Sequence, residues 1–275
     1  MTRPIITFLT DFGPSAPAVC RGVMYGIAPD ATIIDINHDI PRYSIREGAN
    51  ALVFALPWMP VGTHVAVVDP GVGTERLPLA IKARRGDVLI GPDNGLLVPA
   101  AEELGGIAEA RAITNRELML ATISSSFHGR DIFSPVAAYL ATGTPYEAVG
   151  PTVEPDRLVR LDFPRPEIRE GALHTAVIHV MVFGNVTLAG VPADLEAAVG
   201  PLTAGRQLVI EFAALHGLPA VREQTTWAQT FGRVPVGASL LMEDSEGNLE
   251  FADNQGDAAA RLGLSVDRAA RITTA

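Results

Sequence analysis

The chain has 275 residues, of which 48% are hydrophobic and 19% charged, a balance that suits two domains with sizeable cores and excludes a disordered tail. Its formal net charge of -10 argues against a protein that tracks nucleic-acid phosphates, and its single cysteine, Cys20, excludes an internal disulfide and a multi-cysteine zinc site. No apolar run approaches the ~18 residues of a membrane span, and Met1–Asp11 has no signal-peptide core, so no membrane contact and a cytoplasmic location are expected.

In chain order, Ile5–Leu9, Thr32–Ile36, His64–Val68 and Val88–Ile90 read as buried strands, β-branched-rich and bounded by Gly, Pro or Asp. Between and after them, Ala18–Ile27, Ile45–Leu56, Ala100–Leu104 and Ile132–Ala141 read as helices. This alternation predicts an N-terminal α/β domain with a mostly parallel sheet over 1–163. A Pro- and charge-rich stretch inside Asp162–Gly171 supplies a linker, set at 164–171. Beyond it, Ala172–Val182, Arg206–Phe212, Ser239–Met242 and Leu249–Ala252 read as strands, with Asp257–Leu262 the one strong helix. A smaller β-rich domain over 172–275 is expected.

Four loops carry polar residues directly after apolar strands, where open α/β sheets bind ligands. Thr10-Asp11-Phe12-Gly13 follows the first strand, and a carboxylate there can accept from both hydroxyls of a ribose, or simply cap the next turn. VVDPGVGTER (67–76) closes a strand with Asp69 and returns to Arg76. It lacks a P-loop or dinucleotide fingerprint, and alone it also reads as a turn with a local ion pair. GPDNGLL (91–97), with Asn94, is turn chemistry when taken alone. SSSFHGRDIFSP (124–135) places His128 beside a glycine at a helix entrance. No His-x-x-x-His or His-Glu-x-x-His spacing occurs, so neither metal nor cofactor is expected.

Together, TDFG, VVDPGVGT-x-R, GPDNGLL and FHGRDIF resemble the S-adenosylmethionine (SAM) hydrolases, the SAM hydroxide adenosyltransferases, relatives of the fluorinases and chlorinases. The resemblance continues through His38, Ile40-Pro41 and Glu47-Gly48-Ala49. In the second half it takes in Phe183-Gly184-Asn185 and Ser245-x-Gly247-x-Leu249-Glu250-x-Ala252. It implies an α/β domain joined to a β-barrel-like domain, in a homotrimer whose active sites lie between subunits. It also implies that Asp11 holds the ribose, Asn185 reads adenine, and Tyr43, Phe127 and Phe231 line the adenosyl pocket, with Asn94 and Ser245 also on the substrate. Asp69, Arg76 and His128 would act on a water that attacks C5′ and releases adenosine and methionine.

Those roles suit the chemistry. A sulfonium leaves as a neutral thioether, so no general acid is needed, only a positioned, desolvated water or hydroxide. Asp69 and His128 can accept hydrogen bonds from that water or orient it, and Arg76 can hold Asp69 ionised or stabilise hydroxide. A carboxylate at position 69 would repel a bound halide, which favours hydrolase over halogenase. Two departures concern the substrate's ammonium group: Pro14-Ser15-Ala16-Pro17 carries no acid after TDFG, and Met181 stands where the family usually has Asp. The alternatives are a hydrolase of another 5′-substituted adenosine and a non-catalytic adenosine or SAM sensor.

Overall fold

The structure is a computed structural model and describes residues 3–275, which divide into two compact units, Met1–Leu161 and Asp162–Ala275. The first unit contains, in chain order, β1 (Ile5–Thr10), α1 (Ala16–Ile27), β2 (Thr32–Asn37), α2 (Ile45–Ala55), β3 (Thr63–Val67), β4 (Pro78–Ala83), β5 (Val88–Pro92), α3 (Val98–Glu103), β6 (Ile107–Ala112) and α4 (Ser134–Ala141). Its sheet runs β2-β1-β3-β5-β4-β6. The pairs β1–β2, β1–β3 and β3–β5 are parallel, and β4 is antiparallel to both neighbours. The mostly parallel α/β sheet expected from the alternation is therefore present, with β4 and β6 as additions. Ile6, Phe8, Val65, Val67 and Ile90 pack beneath Met24 of α1 and Val136 of α4 in one buried cluster.

Across the parallel strands lies a buried polar chain. Thr7 Oγ1 sits 2.9 Å from His64 Nδ1, and His64 Nε2 sits 2.8 Å from Asp87 Oδ1. Asp87 also accepts from Arg85 Nε at 2.7 Å and from Arg85 Nη2 at 2.9 Å. Hydroxyl, imidazole and carboxylate line up as in a hydrolytic triad, but Thr7, His64 and Asp87 are 0–1% exposed. No substrate can reach them, and the network serves to tie β1, β3 and the start of β5 together.

The second unit contains β7 (Glu167–Arg169), β8 (Ala172–Val180), β9 (Val186–Leu188), α5 (Pro192–Val199), β10 (Gln207–Phe212), β11 (Val221–Trp227), β12 (Ser239–Glu243), β13 (Leu249–Asp253), α6 (Ala258–Leu262) and β14 (Ala269–Thr274). The order is β14-β10-β11-β12-β13-β9-β8-β7, and a β14–β8 pairing closes seven strands into a barrel around Leu173, Val177, Ile210, Phe251 and Ile272. Part of the stretch expected as linker is strand: β7 forms a hairpin with β8 through Glu170 and Gly171, both at positive φ. Helix α5 was not expected beside α6. Pro192 starts it, and Asp194 Oδ2 accepts from the Val191 N–H at 2.9 Å to cap it.

Candidate active site

Asp11 and Asp69 both emerge just past the C-terminal ends of parallel strands, β1 and β3. A cavity of about 300 Å³ opens there, and its walls include Asp11, Tyr43, Asp69, Phe127 and His128. Five residues singled out by sequence, spread over 118 positions (11 to 128), thus meet at one place.

Asp11 is held from outside the strand. Its Oδ2 accepts from the Tyr43 N–H at 3.0 Å, and Gly13 N–H donates to the His38 carbonyl at 2.9 Å. Tyr43 has φ 67 and is 70% exposed, so its backbone serves Asp11 while its ring stands at the mouth of the cavity. Among the described residues, the other Asp11 oxygen accepts no side-chain hydrogen bond.

Arg76 lies behind Asp69. Its Nε donates to both carboxylate oxygens, at 3.1 and 2.9 Å, and its Nη2 donates to Oδ2 as well. The same Nη2 donates to His128 Nδ1 at 2.9 Å. A guanidinium has no acceptor, so Nδ1 must present its lone pair and the neutral ring carries its proton on Nε2. Burial, and next the Arg76 charge, hold the His128 pKa below its ordinary value, so the ring is neutral at neutral pH. Asp69 and His128 are thus joined through one guanidinium, and both line the cavity. Arg76 is steadied further by the Phe133 ring, 5.3 Å from its guanidinium carbon.

The loops bearing these residues touch because of a glycine. Gly73 has φ +78, and a Cβ there would lie 2.4 Å from the Ser125 carbonyl oxygen. Only a bare backbone lets the 69–76 loop lie against the 124–128 loop. The latter is set by Asp131, fully buried, whose Oδ2 accepts from Ser124 N–H at 2.8 Å. A π-helical turn over Gly129–Phe133 precedes α4, so the helix expected to begin at Ile132 has a widened first turn directly after His128. Phe12 and Phe127 meet edge to face with ring centroids 5.5 Å apart.

Asn94 stands apart from this cavity's wall. Its amide donates to the Val68 carbonyl at 2.9 Å and accepts from Leu96 N–H at 3.2 Å. It therefore touches the site only through the backbone leading into Asp69. Arg42, which sequence reasoning passed over, does line the cavity.

Asn185, Phe231 and Ser245 line a different cavity, of about 580 Å³, in the second unit, together with Met181 and Glu250. Asn185 ends a tight turn in which Met181 N–H donates to the Asn185 carbonyl and Gly184 N–H to the Met181 carbonyl, both at 2.9 Å. Gly184 has φ +83, and a Cβ there would collide with Asp257, the N-cap of α6. Glu250 was quoted only as part of a motif. The signal for it was a carboxylate between Leu249 and Phe251 on a buried strand, where a charge needs a reason. Among the described residues no cluster of His, Cys, Asp and Glu could hold a metal ion. Cys20 is buried, and burial pushes its thiol up to about 11.

Comparison with known proteins covers both units. Residues 6–150 match the SAM hydroxide adenosyltransferase N-terminal domain and residues 175–271 its C-terminal domain. The chain is 42% identical over 272 residues to a protein of Salinispora tropica named (R)-S-adenosyl-L-methionine hydrolase, covering 98% of each. A protein of the same name from Thermus thermophilus is 36% identical over 281 residues, covering 98% of this chain and 99% of that one. A fluorinase of an Actinoplanes species is 29% identical over 301 residues, covering 99% of this chain and 98% of that one. Among solved structures, an uncharacterized conserved protein of Thermotoga maritima superposes with a TM-score of 0.86 at 34% identity, covering 98% of this chain and 99% of that chain.

Proposed function

The chain belongs to the SAM hydroxide adenosyltransferase family, and from that premise we propose that it hydrolyses SAM to adenosine and L-methionine. The observation that carries the reading is the Asp69–Arg76–His128 cluster set beside Asp11 in one cavity. Asp11 takes the ribose diol on its free oxygen. Asp69, with lone pairs left over after Arg76, accepts a proton from a water aimed at C5′. His128 directs its Nε2–H at that water and fixes its position, while Arg76 pairs with Asp69 and occupies the Nδ1 lone pair. The water's oxygen forms the new C5′–O bond as the C5′–S bond breaks, and the electron pair leaves on methionine's neutral sulfur. Incubating the protein with SAM and separating the products by chromatography tests this: adenosine and methionine should appear in equal amounts.

The relatives named fluorinase mark the competing chemistry. Asp69, its side chain 4% exposed, lines the cavity, and its carboxylate would repel an anion entering there, which favours water over halide.

The proposed assembly is a homotrimer in which one subunit's first unit and a neighbour's second unit share each substrate. The ribose-holding and adenine-reading motifs lie in different units, which supports it. Activity per chain should then vanish on dilution to monomer, and light scattering that finds a fully active monomer contradicts the arrangement.

The methionine end of the substrate is the least well provided. Helix α1 has no acid in its first turn and Met181 stands where a carboxylate is expected, while the acids that do line the second cavity are engaged within the protein: Asp253 by Arg261, Glu250 by Asn185, and Asp244 by the Glu246 and Asn248 N–H groups. Where two acids await an ammonium, an analogue without it strands buried charge and is rejected strongly. Here kcat/KM for SAM and for its desamino analogue should agree within about tenfold, ~1.4 kcal/mol. A thousandfold preference for SAM would mean that another residue holds the ammonium.

A further inference from the structure

Glu250 is 4% exposed, is the second residue of β13, opposite Met242 of β12 and Thr187 of β9, and borders the second cavity. Its Oε1 accepts from Asn185 Nδ2 at 2.9 Å, and this is the one side-chain hydrogen bond that Asn185 makes among the described residues. An asparagine amide can turn over by 180°, exchanging its donor and its acceptor with almost no change of shape. What fixes it is the partner. Once ionised, above its pKa of about 7, the Glu250 carboxylate accepts only, so it selects the orientation with Nδ2 towards it. The carbonyl oxygen and the second N–H are then left as a donor–acceptor pair for a ligand.

From this contact we infer that Glu250 is the positioning residue that sets the nucleobase preference of the cavity, by locking the Asn185 amide so that it accepts a 6-amino purine and refuses a 6-oxo purine. The inference rests on the adenosyl reading above and specifies how the base is chosen. On either edge, adenine offers an amino donor next to a ring-nitrogen acceptor, which the locked amide matches with two hydrogen bonds. Hypoxanthine has the same outline but carries an acceptor oxygen at position 6. Against the locked carbonyl, two acceptors would face each other without a proton between them, a cost that hydrogen-bonding sites use for discrimination. Phe231 and Phe183, the latter 77% exposed, supply aromatic surface to the cavity but distinguish the two bases poorly, because both have the same faces.

The surroundings of Glu250 agree with a group kept for its charge-accepting oxygen rather than for stability. Burial, and next the Asp244 carboxylate, push its pKa up to about 7, while the Asn185 bond draws it down. A buried glutamate on a barrel strand, with an amide rather than a basic group as its partner, is costly to keep. A leucine would pack there without that cost and would leave Asn185 free to turn over.

The test is calorimetric titration of the full-length protein with adenosine and with inosine, at a pH well above the Glu250 pKa of about 7 so that its side chain is the carboxylate. Wild type should bind adenosine about a hundredfold more tightly than inosine. In Glu250→Gln the new amide can donate to the Asn185 carbonyl as well as accept from its nitrogen, so the ratio should fall to within about tenfold. Glu250→Asp keeps an acceptor-only group and should retain the adenosine preference, which a residue needed only for packing would not explain. Glu250→Ala removes the lock without adding atoms, should give the same low ratio, and covers a Glu250→Gln protein that does not fold. A wild type that binds both nucleosides equally, or a Glu250→Gln protein that keeps the hundredfold preference, overturns the inference. A wild type that binds neither nucleoside overturns the adenosyl reading itself.

Discussion

Asp69→Asn is expected to lower kcat by about a thousandfold while changing adenosine affinity by no more than about threefold. The substitution preserves shape but removes the base and half of the acceptor surface. Asp69 receives Arg76 on both oxygens. An asparagine presents one oxygen and one nitrogen, and the nitrogen would meet a guanidinium that can only donate. Arg76 would then lose its anionic partner while still pointing at His128 Nδ1, so the water would lose both its proton acceptor and its alignment. The proposed ribose and adenine contacts lie elsewhere, at Asp11 and in the second unit, and should survive. Single-turnover formation of adenosine, set beside calorimetric binding of adenosine, separates the two effects. Equal losses in both would show that Asp69 holds the nucleoside instead of the water.

Asp87→Ala should be the most damaging change to stability away from the cavity, costing about 3–5 kcal/mol. For a unit of this size that lowers the melting temperature on the order of 10 °C, readable by scanning calorimetry. Asp87 is fully buried, and its removal leaves His64 Nε2 and the Arg85 guanidinium without their shared acceptor. Burial pushes the Asp87 carboxyl up, but the Arg85 and His64 hydrogen bonds outweigh it and hold its pKa well below the usual carboxylate range. Because the folded-state value is the lower one, the stabilisation is complete above the unfolded value of about 3.9 and is lost as pH falls through the folded value. Acid should therefore narrow the gap between wild type and Asp87→Ala. A variant within about 1 kcal/mol of wild type at neutral pH would show that the network contributes little.

Much of the cavity was legible because its parts obey a local rule: each polar loop follows a strand that reads as buried on its own. Asp11 after Ile5–Thr10 and Asp69 after Thr63–Val67 are of this kind. Their convergence with His128 was legible only through resemblance, since the Arg76–His128 contact joins residues 52 apart and nothing in the intervening chain encodes it. The division of Arg76 between Asp69 and His128, which decides the tautomer, needed coordinates. Glu250 shows the same limit in the second unit: its motif was visible, but its contact with Asn185 spans 65 positions.

The missed strands have a common cause. PLAIKA and IAEARA, β4 and β6, are rich in alanine and charge, and they pair antiparallel at the far side of a sheet whose parallel strands are the apolar ones. VREQTTW and AARITT, β11 and β14, lack the apolar–polar alternation of a barrel strand, with five polar residues in a row over Arg222–Thr226, so their alternating burial could not be read from composition. Barrel closure itself depends on pairing Ala269–Ile272 with Leu173–Ala176, almost a hundred positions apart, and local periodicity cannot report that.

The central claim is that a water held by Asp69 attacks C5′, and oxygen tracing tests it most directly. The protein is incubated with SAM in water enriched in the heavy oxygen isotope, and the adenosine is analysed by mass spectrometry with fragmentation. One heavy oxygen on the 5′-hydroxyl, with none in methionine or at the other ribose positions, is the result this account predicts. Adenosine without the label, or label found only in an adenine-free ribose product, would contradict it.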